Sequence, residues 1–218
     1  MNALGTKTTL KLLKVLLENP LYGFKETELI QMAKTGKGSA SNIIKDLVKE
    51  KIVLEKRAGK TKIIYLNIQN KKVFLLKNLF DQEKMTYASK SKLASIILFT
   101  SKIKERSELI LLFGSSIAGT STEKSDIDII VISNNADKIQ KERKKVEELF
   151  GERFNLHYYT KKEIKNKIKS DTFIQNALLK GVLLNGYDLG RELLSSLKEK
   201  KDLERLFFFN ERIKSALR

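Results

Sequence analysis

Apolar positions along the chain change their spacing several times, and each change predicts an element. Over Thr6 to Asn19, Leu10, Leu13, Leu16 and Leu17 recur at helical intervals. The pattern stops at Asn19-Pro20, since proline has no N–H for the next turn and its ring blocks the previous one. Lys25 to Ala33 repeats it with Leu29, Ile30 and Met32 behind an acidic first turn, and the glycines of "KTGKGSAS" break it. A third helix is predicted from Ser39 or Ser41, where a serine hydroxyl can accept from free backbone amides, with Ile43, Ile44, Leu47 and Val48 on its apolar face. Alternation then replaces the helical period. "IVLEKRAGKTKIIYLNI", Ile52 to Ile68, reads as two strands around a basic turn at Ala58-Gly59-Lys60.

Farther along, "KKVFLLKNLF" has helical spacing and the polar run "DQEKMTYASKSK" follows it. Ser91 to Arg106 is a further helix, with Leu93, Ile96, Ile97 and Ile103 on one side. "ELILLFGSS" reads as a strand ending at Gly114-Ser115, "SDIDIIVI" as a second, and "RFNLHYY" as a third. Helices are predicted over Ala136 to Phe150 and around "DTFIQNALLKGVLLNG". The expected organisation is therefore a domain over 1–70, a helical connector over 71–92, a second domain over 93–194 and a helical tail over 195–218. In that tail "LFFFN", Leu206 to Asn210, would serve as core or subunit contact. No internal repeat or low-complexity tract interrupts this order.

Charge changes the picture. The chain has 218 residues, 41% of them hydrophobic, enough for ordinary cores. Its 43 Lys+Arg against 26 Asp+Glu leave a net charge of +17, which points to a polyanionic partner such as nucleic acid or to nucleotide phosphates. Cysteine is absent, excluding a disulfide framework, thiolate metal ligation and cysteine nucleophiles, and this suits a reducing cytoplasm. The uncharged run Leu93 to Ser101 is too short to span a bilayer, and the amino terminus has no export pattern, so a cytoplasmic protein without membrane contact is expected.

Three helices followed by a basic hairpin resemble a winged helix-turn-helix domain across residues 1–70. The resemblance implies that the third helix enters the major groove of double-stranded DNA while the hairpin lies against the sugar-phosphate backbone. By position, Lys37, Ser39, Ser41, Asn42 and Lys45 would face DNA from the helix, and Lys56, Arg57, Lys60 and Lys62 from the wing. A homodimer reading two half-sites is a further expectation.

The sharpest chemical signal is Asp126 and Asp128 inside an apolar run that otherwise reads as a core strand. Ionised carboxylates are costly to take out of water, so two of them there call for a cation or a strong structural partner. Residues two apart on a strand share a face, where paired carboxylates can bind a divalent ion, Mg2+ by default because it combines carboxylate, phosphate and water oxygens. At Gly114 the missing side chain lets backbone approach a ligand, and a helix starting at Ser115 or Ser116 offers free amides to a phosphate.

A strand ending in Gly-Ser, followed after residues 116–125 by Asp-x-Asp on the next strand, resembles the minimal nucleotidyltransferases of the DNA polymerase β superfamily over about Leu93 to Leu194. The resemblance implies a mixed sheet with helices, so the whole chain is expected to be α+β: a winged helix-turn-helix and a nucleotidyltransferase-type domain. It further implies transfer of a nucleoside monophosphate from an NTP, with Gly114, Ser115 and Ser116 at the nucleotide and Asp126 and Asp128 as metal-binding catalytic residues. Active relatives usually carry a third carboxylate on the following strand, and that position here falls on Asn155 or His157. Many also have an arginine in the turn after Gly-Ser, where this chain has Ile117, Ala118 and Gly119. The acceptor would be a protein hydroxyl, as in the transferases of toxin-antitoxin pairs with a toxin-type partner, or a small molecule or RNA end. The alternative is a transcription regulator whose transferase-like domain senses nucleotide or oligomerises without turnover. "TGKGS" has no Ser or Thr directly after Gly-Lys, and "GKT" has Leu54 where a Walker phosphate loop requires its first glycine.

Overall fold

The computed structural model describes residues 5–122 and 125–197; the proposed "LFFFN" contact lies outside them. The chain divides into two compact units, Met1–Phe80 and Asp81–Arg218, with the boundary inside the stretch read above as a connector.

In the first unit, α1 (Lys7–Glu18) starts where the Thr6 hydroxyl accepts from the Thr9 N–H at 3.1 Å, and it buries Leu12, Leu13, Leu16 and Leu17. β1 (Gly23–Lys25), α2 (Glu26–Met32) and α3 (Lys37–Lys49) follow. The third helix thus begins two residues before Ser39, with Gly36 as its cap, and the serine-cap expectation is corrected. Ser39 and Ser41 lie inside it, and the Ser39 hydroxyl turns back to donate to the Gly36 carbonyl at 3.2 Å. A hairpin of β2 (Val53–Ala58) and β3 (Thr61–Leu66) follows, turning at Gly59 with φ 58°. β1 completes an antiparallel sheet in the order β1-β3-β2, a strand too short to show in the sequence pattern. At Gly23 a Cβ would strike the Tyr65 ring paired opposite it, so the bare backbone leaves room for that ring. α4 (Lys71–Gln82) carries the chain onward.

The second unit opens with a 3-10 turn, Glu83–Tyr87, and α5 (Lys90–Ile103), which a second 3-10 turn, Lys104–Arg106, extends. β4 (Leu109–Phe113), the one-turn helix α6 (Ser115–Ala118), β5 (Ile127–Ile132), α7 (Ala136–Phe150) and β6 (Phe154–Tyr159) come next. After α8 (Lys161–Lys167) and α9 (Thr172–Lys180) the chain forms β7 (Val182–Asn185), and 187–197 are helical. The "GVLL" run read as helix is thus partly strand. Its backbone completes the ladder on β4, and a Cβ at Gly181 would meet the Leu112 carbonyl at 2.8 Å.

The sheet order is β6-β5-β4-β7, with β5 and β6 parallel and the remaining pairs antiparallel. Ile96, Phe99 and Ile103 of α5 and Ile139 and Val146 of α7 pack with Ile110, Leu112, Ile127, Ile129, Val131 and Phe154. Leu109, Leu111, Ile130 and Ile132, in the alternate positions, are buried as well. Coverage of both faces explains why β4 and β5 read as nearly continuous apolar runs. Cutting Ile129 to alanine in this core would cost about 2–5 kcal/mol. Among the described residues no helix is long and apolar enough to cross a membrane.

Candidate functional site

Register brings the sequence signals together. Phe113, the last residue of β4, pairs with Asp128 on β5, and Asp128 pairs with Asn155 on β6. Gly114 therefore leaves the sheet beside the Asp128 carboxylate. Its backbone, φ 81° and ψ −158°, lies in a region essentially open only to glycine. A Cβ there would collide with Asp128 Oδ2 and stand 3.1 Å from its Cγ. Absence of a side chain at position 114 thus sets how closely the Gly-Ser turn approaches the acid.

From Gly114 the chain enters α6 and leaves it at Gly119 in the left-handed conformation. A single turn has little summed dipole, so its contribution to an anion is its free N–H groups. Ser115 is partly exposed, whereas Ser116 is fully buried and its hydroxyl has no hydrogen-bond partner. Of the two serines, only Ser115 presents a side chain toward solvent. The Glu83–Tyr87 turn packs against α6, and Lys84 ties it to the Asp81 carboxylate at 2.7 Å and the Lys180 carbonyl at 2.8 Å.

Asp126 is exposed and lies one residue before β5, which begins at Ile127; the strand placement expected for both acids holds for Asp128 alone. Its position is nonetheless bounded, because the Ile127 N–H donates to the Arg153 carbonyl at 2.8 Å. Asp128 is half-buried, and its Oδ1 accepts from the Asn155 amide at 2.9 Å. The two alternatives for the third-acid position separate here. Asn155 is the direct neighbour of Asp128, while His157 pairs with Ile130, farther into the sheet. The His157 ring packs 5.6 Å from that of Phe113 and 4.9 Å from that of Phe173, as part of an aromatic cluster. Among the described residues no group of three or more His, Cys, Asp or Glu could hold a metal ion, leaving two carboxylates as the acidic set.

Tyr158 and Tyr159 differ in surroundings. Burial pushes the Tyr158 phenol up to about 12, and its hydroxyl lacks a partner. Burial also raises Tyr159, whose ring lies under the Lys167 ammonium at 5.2 Å.

In the first unit Lys37, Ser39, Asn42 and Lys45 of α3 are exposed and Ser41 is partly so. On the hairpin Lys56, Arg57 and Lys60 are exposed, but two wing cations already have partners. Arg57 meets Glu55 at 3.3 Å, and Lys62 lies between Glu26 at 3.6 Å and Glu55 at 3.7 Å. Lys56 sits over the Tyr65 ring at 5.5 Å.

A family comparison bears on the second unit. Residues 90–184 match the family model of the nucleotidyltransferase domain. The matched segment begins with α5 and ends within β7, so it contains Gly114, Asp126, Asp128 and Asn155. No curated protein and no solved structure matches the chain. Within the matched segment the Asp128–Asn155 contact and a buried lysine, Lys92, escaped the sequence pattern. Register alone reveals the first, and the second is one of 43 basic residues with no local signature.

Proposed function

We propose that the second unit binds a nucleoside triphosphate with a divalent cation and transfers its nucleoside monophosphate to an acceptor hydroxyl. The observation that carries this reading is the close approach of the Gly114 turn to the Asp128 carboxylate across the β4–β5 pair. It leaves a side-chain-free surface for phosphate oxygens immediately beside an acid. Gly114, Ser115 and the α6 amides would receive the phosphates.

An all-oxygen pair, with one Asp128 oxygen engaged by an amide, fits a hard ion such as Mg2+ that keeps water and shares phosphate ligands. Asp126 and Asp128 would hold it, and a bound cation would neutralise phosphate charge as pyrophosphate departs. In the transfer, the acceptor oxygen bonds to the α-phosphorus, the bond to the β-bridging oxygen breaks and pyrophosphate leaves. The acceptor proton must go to a base. Asn155 cannot accept it, and His157 is held within its aromatic cluster.

That gap supports a second reading, in which the domain binds nucleotide without turnover and acts as a sensor. Incubation with Mg2+ and α-labelled NTPs, against an Asp126→Ala/Asp128→Ala control, separates the two. Label transfer or pyrophosphate release supports the transferase. Metal-dependent NTP binding without either supports the sensor, and absence of such binding overturns both.

We further propose that the first unit is a winged helix-turn-helix that binds duplex DNA. Support comes from the element order, the antiparallel hairpin and the exposed cations of α3 and the turn. Lys37, Ser39, Ser41, Asn42 and Lys45 would read the groove, and Lys56, Arg57, Lys60 and Lys62 would meet phosphates. Binding that weakens steeply with salt and falls on Lys45→Ala is the expected result. Salt-independent binding would sink it.

A further inference from the structure

Lys92 is 2% exposed, in the first turn of α5, where its N–H donates to the Ser89 cap at 3.2 Å. Its ammonium has three donors, and three oxygens of one distant loop receive hydrogen bonds from it: Ser121 Oγ at 2.8 Å, the Thr122 carbonyl at 2.7 Å and the Ser125 carbonyl at 2.7 Å. Thr122 and Ser125 are also tied to each other. The Thr122 N–H donates to Ser125 Oγ at 3.0 Å, and the Ser125 N–H returns to the Thr122 carbonyl at 3.1 Å. Among the described residues the acceptors of this buried cation are neutral oxygens, an expensive arrangement for a task that loop closure by serine and threonine hydroxyls could share.

The next residue after Ser125 is Asp126. On its other side, the Ile127 amide is fixed to the Arg153 carbonyl at 2.8 Å. Asp126 therefore sits between two pinned backbone points, one set by Lys92 and one by the sheet. α5 has independent anchors in Ile96, Phe99 and Ile103, which are fully buried, so its attachment does not depend on this lysine.

We propose that Lys92 is a positioning residue for the metal site, acting through Ser121, Thr122 and Ser125 to hold Asp126 where it can share a cation with Asp128. The proposal rests on the reading of Asp126 as a metal ligand. It gives a role to a side chain remote in sequence from both acids and touching neither. Because it acts through a ligand of the cation, it should affect metal-dependent nucleotide binding and leave metal-free phosphate contacts at the Gly114 turn intact. A lysine that merely stapled the fold would weaken both together.

The full chain and its Lys92→Met, Lys92→Arg, Ser121→Ala and Asp126→Asn variants can be titrated calorimetrically with each of the four ribonucleoside triphosphates, once in Mg2+ and once in EDTA. Lys92→Met is expected to weaken binding in Mg2+ by about 10-fold, the effect of losing a residue that orients a metal ligand. Binding in EDTA should stay within about 2-fold, and Lys92→Arg should restore part of the Mg2+ effect because a guanidinium can donate to the same oxygens. Equal losses in both conditions, or none in either, would overturn the proposal. If circular dichroism shows Lys92→Met unfolded, Ser121→Ala decides: a loss of about 3-fold confined to Mg2+ supports it, and unchanged binding refutes it. Unaltered Mg2+-dependent binding in Asp126→Asn would remove the metal-ligand reading and this proposal with it. A wild-type chain that binds no NTP in either condition would remove the nucleotide reading as a whole.

Discussion

Asn155 donates its side-chain amide to Asp128 Oδ1 at 2.9 Å from the position directly opposite on β6. The contact compensates part of the carboxylate's charge without a cation. An acid at position 155 would repel Asp128 in the free protein and add a third oxygen donor for a divalent ion. Asn155→Asp should therefore melt below wild type in EDTA and gain more from added Mg2+ than wild type does. Matching thermal unfolding curves with and without Mg2+ check both halves.

Gly114 bears two constraints, its positive φ and the Asp128 carboxylate pressed against it. Gly114→Ala should cost about 1–3 kcal/mol from backbone strain, before any displacement of the acid is counted. Urea unfolding measures that loss. Nucleotide binding should fail even where the variant remains folded, and retained binding would show that the turn does not receive phosphate.

Glu55 restrains Arg57 and Lys62 on the hairpin. Exposed ion pairs of this kind contribute little to stability, about 0–1 kcal/mol, so Glu55→Gln should fold normally. It should also release cations toward a duplex. The expected outcome is tighter DNA binding, with a plot of log affinity against log salt steeper by about 0.9 for each additional phosphate contact. Fluorescence anisotropy across a salt series gives the slope.

Tyr158 has a hydroxyl that is buried and unpartnered. Its neutral form is favoured in the fold, with the pKa raised from 10.0 to about 12, chiefly by burial. The stability tied to that neutral form is complete below the unfolded value and declines as pH rises through the folded one. Tyr158→Phe should thus be no less stable than wild type at neutral pH and more stable between about pH 10 and 12. Denaturation at a series of alkaline pH values tests the sign.

Periodicity and punctuation along the chain were enough for the helices α1, α5 and α7, the basic hairpin, and the strand-turn-strand order that spans Gly114 and Asp128. Apolar spacing, a proline and a few glycines act over only a handful of residues, so those features are local. The start of α3 was misplaced because two serines outbid Gly36 as a visible cap. β1 and β7 were missed because three or four residues become a strand only when a distant ladder needs them.

At the site, the kinds of chemical group were readable and their partners were not. Gly-Ser and Asp-x-Asp were readable as a bare backbone and paired carboxylates, the groups on which the proposed phosphate and cation binding rests. Choosing Asn155 over His157 as the neighbour of Asp128 required the β5–β6 register, and a slip of one residue would have turned the other face. Recognising Lys92 required the third dimension entirely. Its three acceptors lie 29 to 33 residues away, and only folding brings them within hydrogen-bond reach.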